Sequence, residues 1–118
     1  MWYAAHVIMY YKFDKGPQED FPILENIFVL DAPDSRAAHD EAERIGRSEE
    51  VHSGLAVDDR PATLVFAGVR KVVECQSPKG MGLLDHGTEA TYSAFTVRTL
   101  ADLERLVEGE SVPVIYDE

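Results

Sequence analysis

Polar residues that interrupt apolar runs are the first places to look for chemistry, and three runs of this chain carry them. Glu25 and Asn26 break "ILENIFVL"; Arg70, Lys71 and Glu74 break "ATLVFAGVRKVVEC"; Glu89 and Tyr92 fall early in "TEATYSAFTVR". Two readings are open. If the three runs are strands of one sheet, Arg70 or Lys71 answers Glu25 or Glu89 as a cross-strand ion pair. Alternatively, Glu25, Asn26, Arg70, Lys71, Glu89 and Tyr92 border a polar pocket for an anionic ligand or a peptide terminus. The Arg70 guanidinium would then act as a fork-shaped donor. Replacing Arg70 with alanine separates the readings, because a structural pair costs stability and a pocket costs binding.

The remaining reactive residue types do not gather into a motif. His6, His39, His52 and His86 have no partner at H-x-x-x-H or C-x-x-C spacing. Zinc needs three or four converging ligands, so no metal is expected. Cys75, the only cysteine, lies in an apolar run and reads as a buried, inert thiol. Ser93 lacks a nucleophile-elbow context. The glycines of "PKGMGLLDHG" fit neither a Walker pattern nor a strand–glycine–helix passage. No catalytic residue and no cofactor is assigned, and an enzyme using a carboxylate acid–base pair ranks last among the functional classes.

Charge points to partners more than to fold. The 118 residues carry 22 Asp and Glu against 11 Lys and Arg, a net charge of −11. A surface this acidic repels phosphate backbones and anionic lipid, so neither nucleic acid nor membrane is expected as a partner. A basic protein would suit it. A lone cysteine permits no intrachain disulfide, and no run approaches the apolar length of a membrane span, so a cytoplasmic location is expected. The length fits one domain, here 1–110, followed by a tail over 111–118 that either adds an edge strand or stays mobile.

These residues must be positioned by a few elements. Strands are predicted over Trp2–Phe13, Ile23–Leu30, Ala62–Cys75 and Thr88–Arg98, with Gly68 marking a bulge or a close backbone approach. The first two strands, and again the last two, are expected to pair as antiparallel neighbours. Asp34 caps a helix whose buried stripe is Ala38, Ala42 and Ile45. Thr99 caps a shorter helix with Leu100, Leu103, Leu106 and Val107 on its stripe, and Gly109 ends it. "VHSGLAVDDRP" (51–61) reads as an ordered loop. The expected fold is therefore α+β: a four-stranded antiparallel sheet in β-β-α-β-β-α order with both helices on one face. A permuted ferredoxin-like arrangement is the variant of it.

That arrangement leaves a problem. "MWYAAHVIMYY" is apolar on both sides of a strand, and so are the second and third strands, whereas a one-sided sheet alternates apolar with polar. Two thin helices on one face cannot cover the other. That face must meet the 51–61 loop and the tail, another copy of the chain, or a different protein. Of these a homodimer through the face or its edge is expected, with Trp2, Ala4, His6, Ile8, Tyr10 and Phe66 as interface residues.

The segments "WYAAH", "ENIFVL" leading to "EAERIG", "FAGVRK" and "HGTEATYSAF" follow one another over roughly residues 2–97. In these the chain resembles the uncharacterised bacterial family known as domain of unknown function 4288. The resemblance implies a bacterial source and carries no activity, cofactor or catalytic residue. The functional expectation is a small acidic, non-enzymatic interaction module. The alternatives are a regulatory domain binding a small anionic ligand, or an antitoxin or immunity-type protein masking a basic partner.

Overall fold

A computed structural model describes residues 1–75 and 86–116. Among these residues lie six strands and two helices: β1 (Trp2–Phe13), β2 (Phe21–Asp31), α1 (Ser35–Ser48), β3 (Val51–Val57), β4 (Arg60–Cys75), β5 (Thr88–Val97), α2 (Leu100–Val107) and β6 (Ile115–Tyr116). All strands join one antiparallel sheet in the order β3-β4-β1-β2-β5-β6. The expectation of a four-stranded sheet is therefore corrected to six strands. Neither the β-β-α-β-β-α order nor the permuted ferredoxin-like variant holds. β1 and β2 do pair as expected, but β4 does not meet β5. Instead β4 pairs with β1 and β5 pairs with β2, so β1 and β2 separate them. The long apolar β1 is the reason, since it is the strand best able to bury both of its faces at the sheet centre.

The helices also lie on opposite faces. Tyr3, Ala5, Val7 and Met9 pack with Phe28, Leu30, Ala38, Ala42 and Ile45 in one cluster beneath α1. The alternate β1 residue Ile8 packs with Ile23, Phe95, Val97, Leu103 and Leu106 in a second cluster beneath α2. Side chains of a strand alternate between faces, so the two clusters sit on opposite sides of one sheet. The expectation of both helices on one face is overturned, and with it the premise that the second face lacks a cover. Val112 and Val114 of the tail extend the α2 layer, and Ile115–Tyr116 pairs with β5 as an edge strand.

Local chemistry accounts for each helix. The Asp34 carboxylate accepts from the Ala37 N–H at 2.8 Å, and fully buried Ala38 and Ala42 let α1 lie close on the sheet. Thr99 Oγ1 accepts from the Asp102 N–H at 3.0 Å. At the far end of α2, the Gly109 N–H reaches the Leu106 carbonyl and the Glu110 N–H reaches that of Arg105, both at 3.0 Å. This is a Schellman closure, with Gly109 at φ +83° supplying the left-handed residue.

Residues 51–61, expected as a loop, form β3 and a two-residue turn into β4. Asp58 and Asp59 adopt φ of 52° and 63°, the positive values of a type I′ hairpin turn. Aspartate tolerates that region, because its short side chain can bond locally. β3 shows little alternation because it is an edge strand whose first four residues are exposed.

Candidate functional site

On the α2 face, β4 carries two register shifts against β1. Val7 faces Val69 and His6 faces Lys71, which leaves Arg70 as an extra residue; Ile8 faces Gly68 and Met9 faces Phe66, which leaves Ala67 as another. Each shift is a β-bulge, in which two neighbouring residues oppose one partner and a side chain is re-aimed. The first bulge turns Ala67 and Gly68 toward α2, so closely that a Cβ on Gly68 would overlap Val107. Gly68 thus fulfils both sequence expectations. The second bulge turns the adjacent Arg70 and Lys71 to the same face, which a regular strand forbids.

Arg70 and Lys71 there border a cavity of about 410 Å³ together with His6, Glu25, Ser93 and Tyr116. The sheet forms the floor. Its polar residues cross four strands: Lys71 stands opposite His6, His6 bonds Glu25 on β2, and Glu25 stands opposite Ser93 on β5. Leu106, Ser111, Val112 and Val114 form the roof, and Ile27 and Phe95 complete the apolar lining.

The electrostatics differ from those of the protein as a whole. His6 Nδ1 lies 3.0 Å from a Glu25 carboxylate oxygen, with both side chains 17% exposed. An ionised carboxylate only accepts, so in this bond Nδ1–H is the donor. Among the described residues, Arg70 and Lys71 form no ion pair. Arg70 Nη1 makes one long contact, 3.5 Å, to the Leu106 carbonyl in the last turn of α2. That carbonyl end of the helix favours a cation. The expected cross-strand pairing of Arg70 or Lys71 with Glu25 or Glu89 is absent: His6 takes Glu25, and the two cations face the cavity.

The structure divides the sequence-predicted ligand residues by face. Glu25, Arg70 and Lys71 share the cavity. Asn26, Glu89 and Tyr92 fall on the α1 face, as the register Asn26–Tyr92 and Phe28–Glu89 requires. Tyr92 is exposed there. Partial desolvation, and then the charge of Glu49, raise the Glu89 carboxyl above its ordinary value.

The predicted interface residues are largely used within the chain. Ile8 is fully buried, Tyr10 packs on Phe21 at 6.1 Å between ring centres, and His6 serves the cavity. Phe66 lies on the α1 face against Gly46 and beneath the Arg47 guanidinium. Trp2 and Ala4 are half-buried at the far end of β1.

Other candidates resolve less favourably. Cys75 is half-buried at the end of β4 rather than in the core. His39 pairs with Glu43 at 3.1 Å on the outer side of α1. With Asp40 they place three ligand-type atoms within 4.8 Å of one another, a grouping that H-x-x-x-H spacing does not reveal. Arg47 already answers Glu43 at 3.3 Å. The glycine-rich stretch 78–85 lies outside the described residues. Sequence reasoning missed Ser93, Tyr116 and the tail valines as cavity residues. Their only signal is the pairing of β5 with β2 and β6, which no local pattern announces.

No curated protein and no solved structure matches the chain. A family model does match, over residues 2–91, which include His6, Glu25, Arg70 and Lys71 but not Ser93, α2 or the tail. The chain belongs to the family described as Domain of unknown function (DUF4288).

Proposed function

We propose that this protein is a non-enzymatic binding domain for a small anionic ligand held in the cavity between the sheet and α2. The observation that carries the reading is the pair Arg70 and Lys71, turned to one face by a bulge and without a carboxylate partner among the described residues. In a chain of net charge −11, two adjacent cations facing a cavity concentrate positive potential in one place. A guanidinium beside an ammonium suits a carboxylate or phosphate, the first by paired hydrogen bonds and the second as a point charge.

The test is a calorimetric titration with a panel of small carboxylates and phosphates, on the parent protein and on Arg70→Ala. Binding by the parent, at least tenfold weaker in the variant with an unchanged melting temperature, supports the reading. Unchanged binding in the variant, or no binding of any anion at millimolar concentration, defeats it.

The carboxylates outside the cavity support a second, separate feature: a basic protein as the class of macromolecular partner the surface attracts, with association weakening as salt rises. A bacterial cytosol is the setting this reading assumes, consistent with a single unpaired cysteine. A second copy on the sheet face is not part of it, because α2 and the tail occupy that face.

A further inference from the structure

We propose that the ligand is a zwitterionic α-amino acid with an apolar side chain, an inference that rests on the anion-binding reading above and specifies it. The cavity holds opposite charges at separate places. Arg70 and Lys71 rise from β4, while Glu25 stands on β2, with β1 between them. The intervening residue, His6, satisfies one Glu25 oxygen through Nδ1. No other hydrogen bond reaches Glu25 among the described residues. Since no buried side-chain nitrogen or oxygen there lacks a partner, the second oxygen is open to solvent, on a residue that lines the cavity.

A simple anion would satisfy the cations and leave this largely shielded carboxylate facing it, which is repulsive. A ligand with a carboxylate and an ammonium answers both ends. Its carboxylate meets the Arg70 fork and Lys71, and its ammonium meets the free Glu25 oxygen, with Ser93 opposite Glu25 as a neutral acceptor. The remaining walls specify the third substituent. Ile27, Phe95, Leu106, Val112 and Val114 offer no charge and would cover an aliphatic or aromatic side chain. A cavity of about 410 Å³ has room for such a molecule.

Four probes test this on the full chain by calorimetry: L-leucine, 4-methylpentanoate (the same skeleton without the amino group), isopentylamine and glycine. Leucine is expected to bind at least tenfold more tightly than 4-methylpentanoate and than glycine, with isopentylamine weakest. Glu25→Gln, which keeps an acceptor for His6, should bring leucine down to the level of 4-methylpentanoate and leave the latter unchanged or tighter. Arg70→Met should remove both. Equal binding of leucine and 4-methylpentanoate, or a leucine preference that survives Glu25→Gln, overturns the amino-acid assignment while leaving the anion site intact. Glycine binding as tightly as leucine overturns the apolar-side-chain part. Failure of every carboxylate to bind removes the anion site itself. Should Glu25→Gln unfold, Ser93→Ala provides the second variant, with a smaller fall for leucine and none for 4-methylpentanoate.

Discussion

Glu89 and Glu41 are two carboxylates with opposite behaviour. Partial desolvation of a side chain that stays exposed, and then the Glu49 charge, raise the Glu89 carboxyl, so its ionised form is disfavoured in the folded chain. The stability linked to this group is complete below the ordinary glutamate range and is lost as pH climbs through the raised value. Glu89→Gln is therefore expected to raise the urea midpoint at pH 7 and to leave it unchanged near pH 3.5. The gain should stay under about 0.5 kcal/mol, since solvent screens an exposed group. Glu41 runs the other way. Hydrogen bonds from Arg44 lower its carboxyl, so its contribution is present at neutral pH and fades on acidification through the lowered value. At this scale Arg70 was legible as a polar interruption of a strand. Its direction was not, because a bulge leaves no mark in a single strand's composition and exists only relative to β1.

Gly46 in α1 shows how packing decides between two effects. In a free helix, glycine to alanine gains about 1 kcal/mol. Here a Cβ would lie 2.6 Å from Phe66 Cε1 and 3.0 Å from Val7 Cγ1. Overpacking of this kind costs about 1–3 kcal/mol, and Phe66 has little room to yield beneath Arg47. Gly46→Ala is expected to lower stability by about 1 kcal/mol in urea denaturation, against the helix-propensity trend. Both helices were readable from sequence because capping and periodicity are local: Asp34, Thr99 and Gly109 each do what their types imply. β3 was not readable. An edge strand needs no buried alternation, and its turn depends on two aspartates at positive φ rather than on a glycine.

The apolar runs of β1, β2 and β4 report a sheet buried on both sides, and at the scale of the whole molecule this was visible in sequence. What covers the second side was not, because that depends on α2 crossing to the opposite face from α1. The sheet is long: the radius of gyration is 15.2 Å, against about 13.5 Å for a chain of this size packed compactly. One helix per face divides that slab into two thin cores. With Ile8 and Tyr10 covered from within, light scattering after size exclusion is expected to report a monomer at millimolar concentration. A dimer mass would instead point to the half-buried Trp2 end or the exposed β3 edge.

The twin bulges of β4 also act like a frameshift and its correction. Each added residue inverts which side the following positions look toward, and the second restores the original phase. Leu64, Phe66, Val69 and Val72 can therefore all reach the α1 side although their spacing is uneven. Deleting Ala67 should make the strand regular there and leave Phe66, Gly68, Val69 and Val72 on the sides they hold now, so the fold is expected to survive it. Deleting Arg70 alone should likewise keep Val69, Lys71 and Val72 facing as they do while erasing the paired cations, a fold kept and a purpose removed.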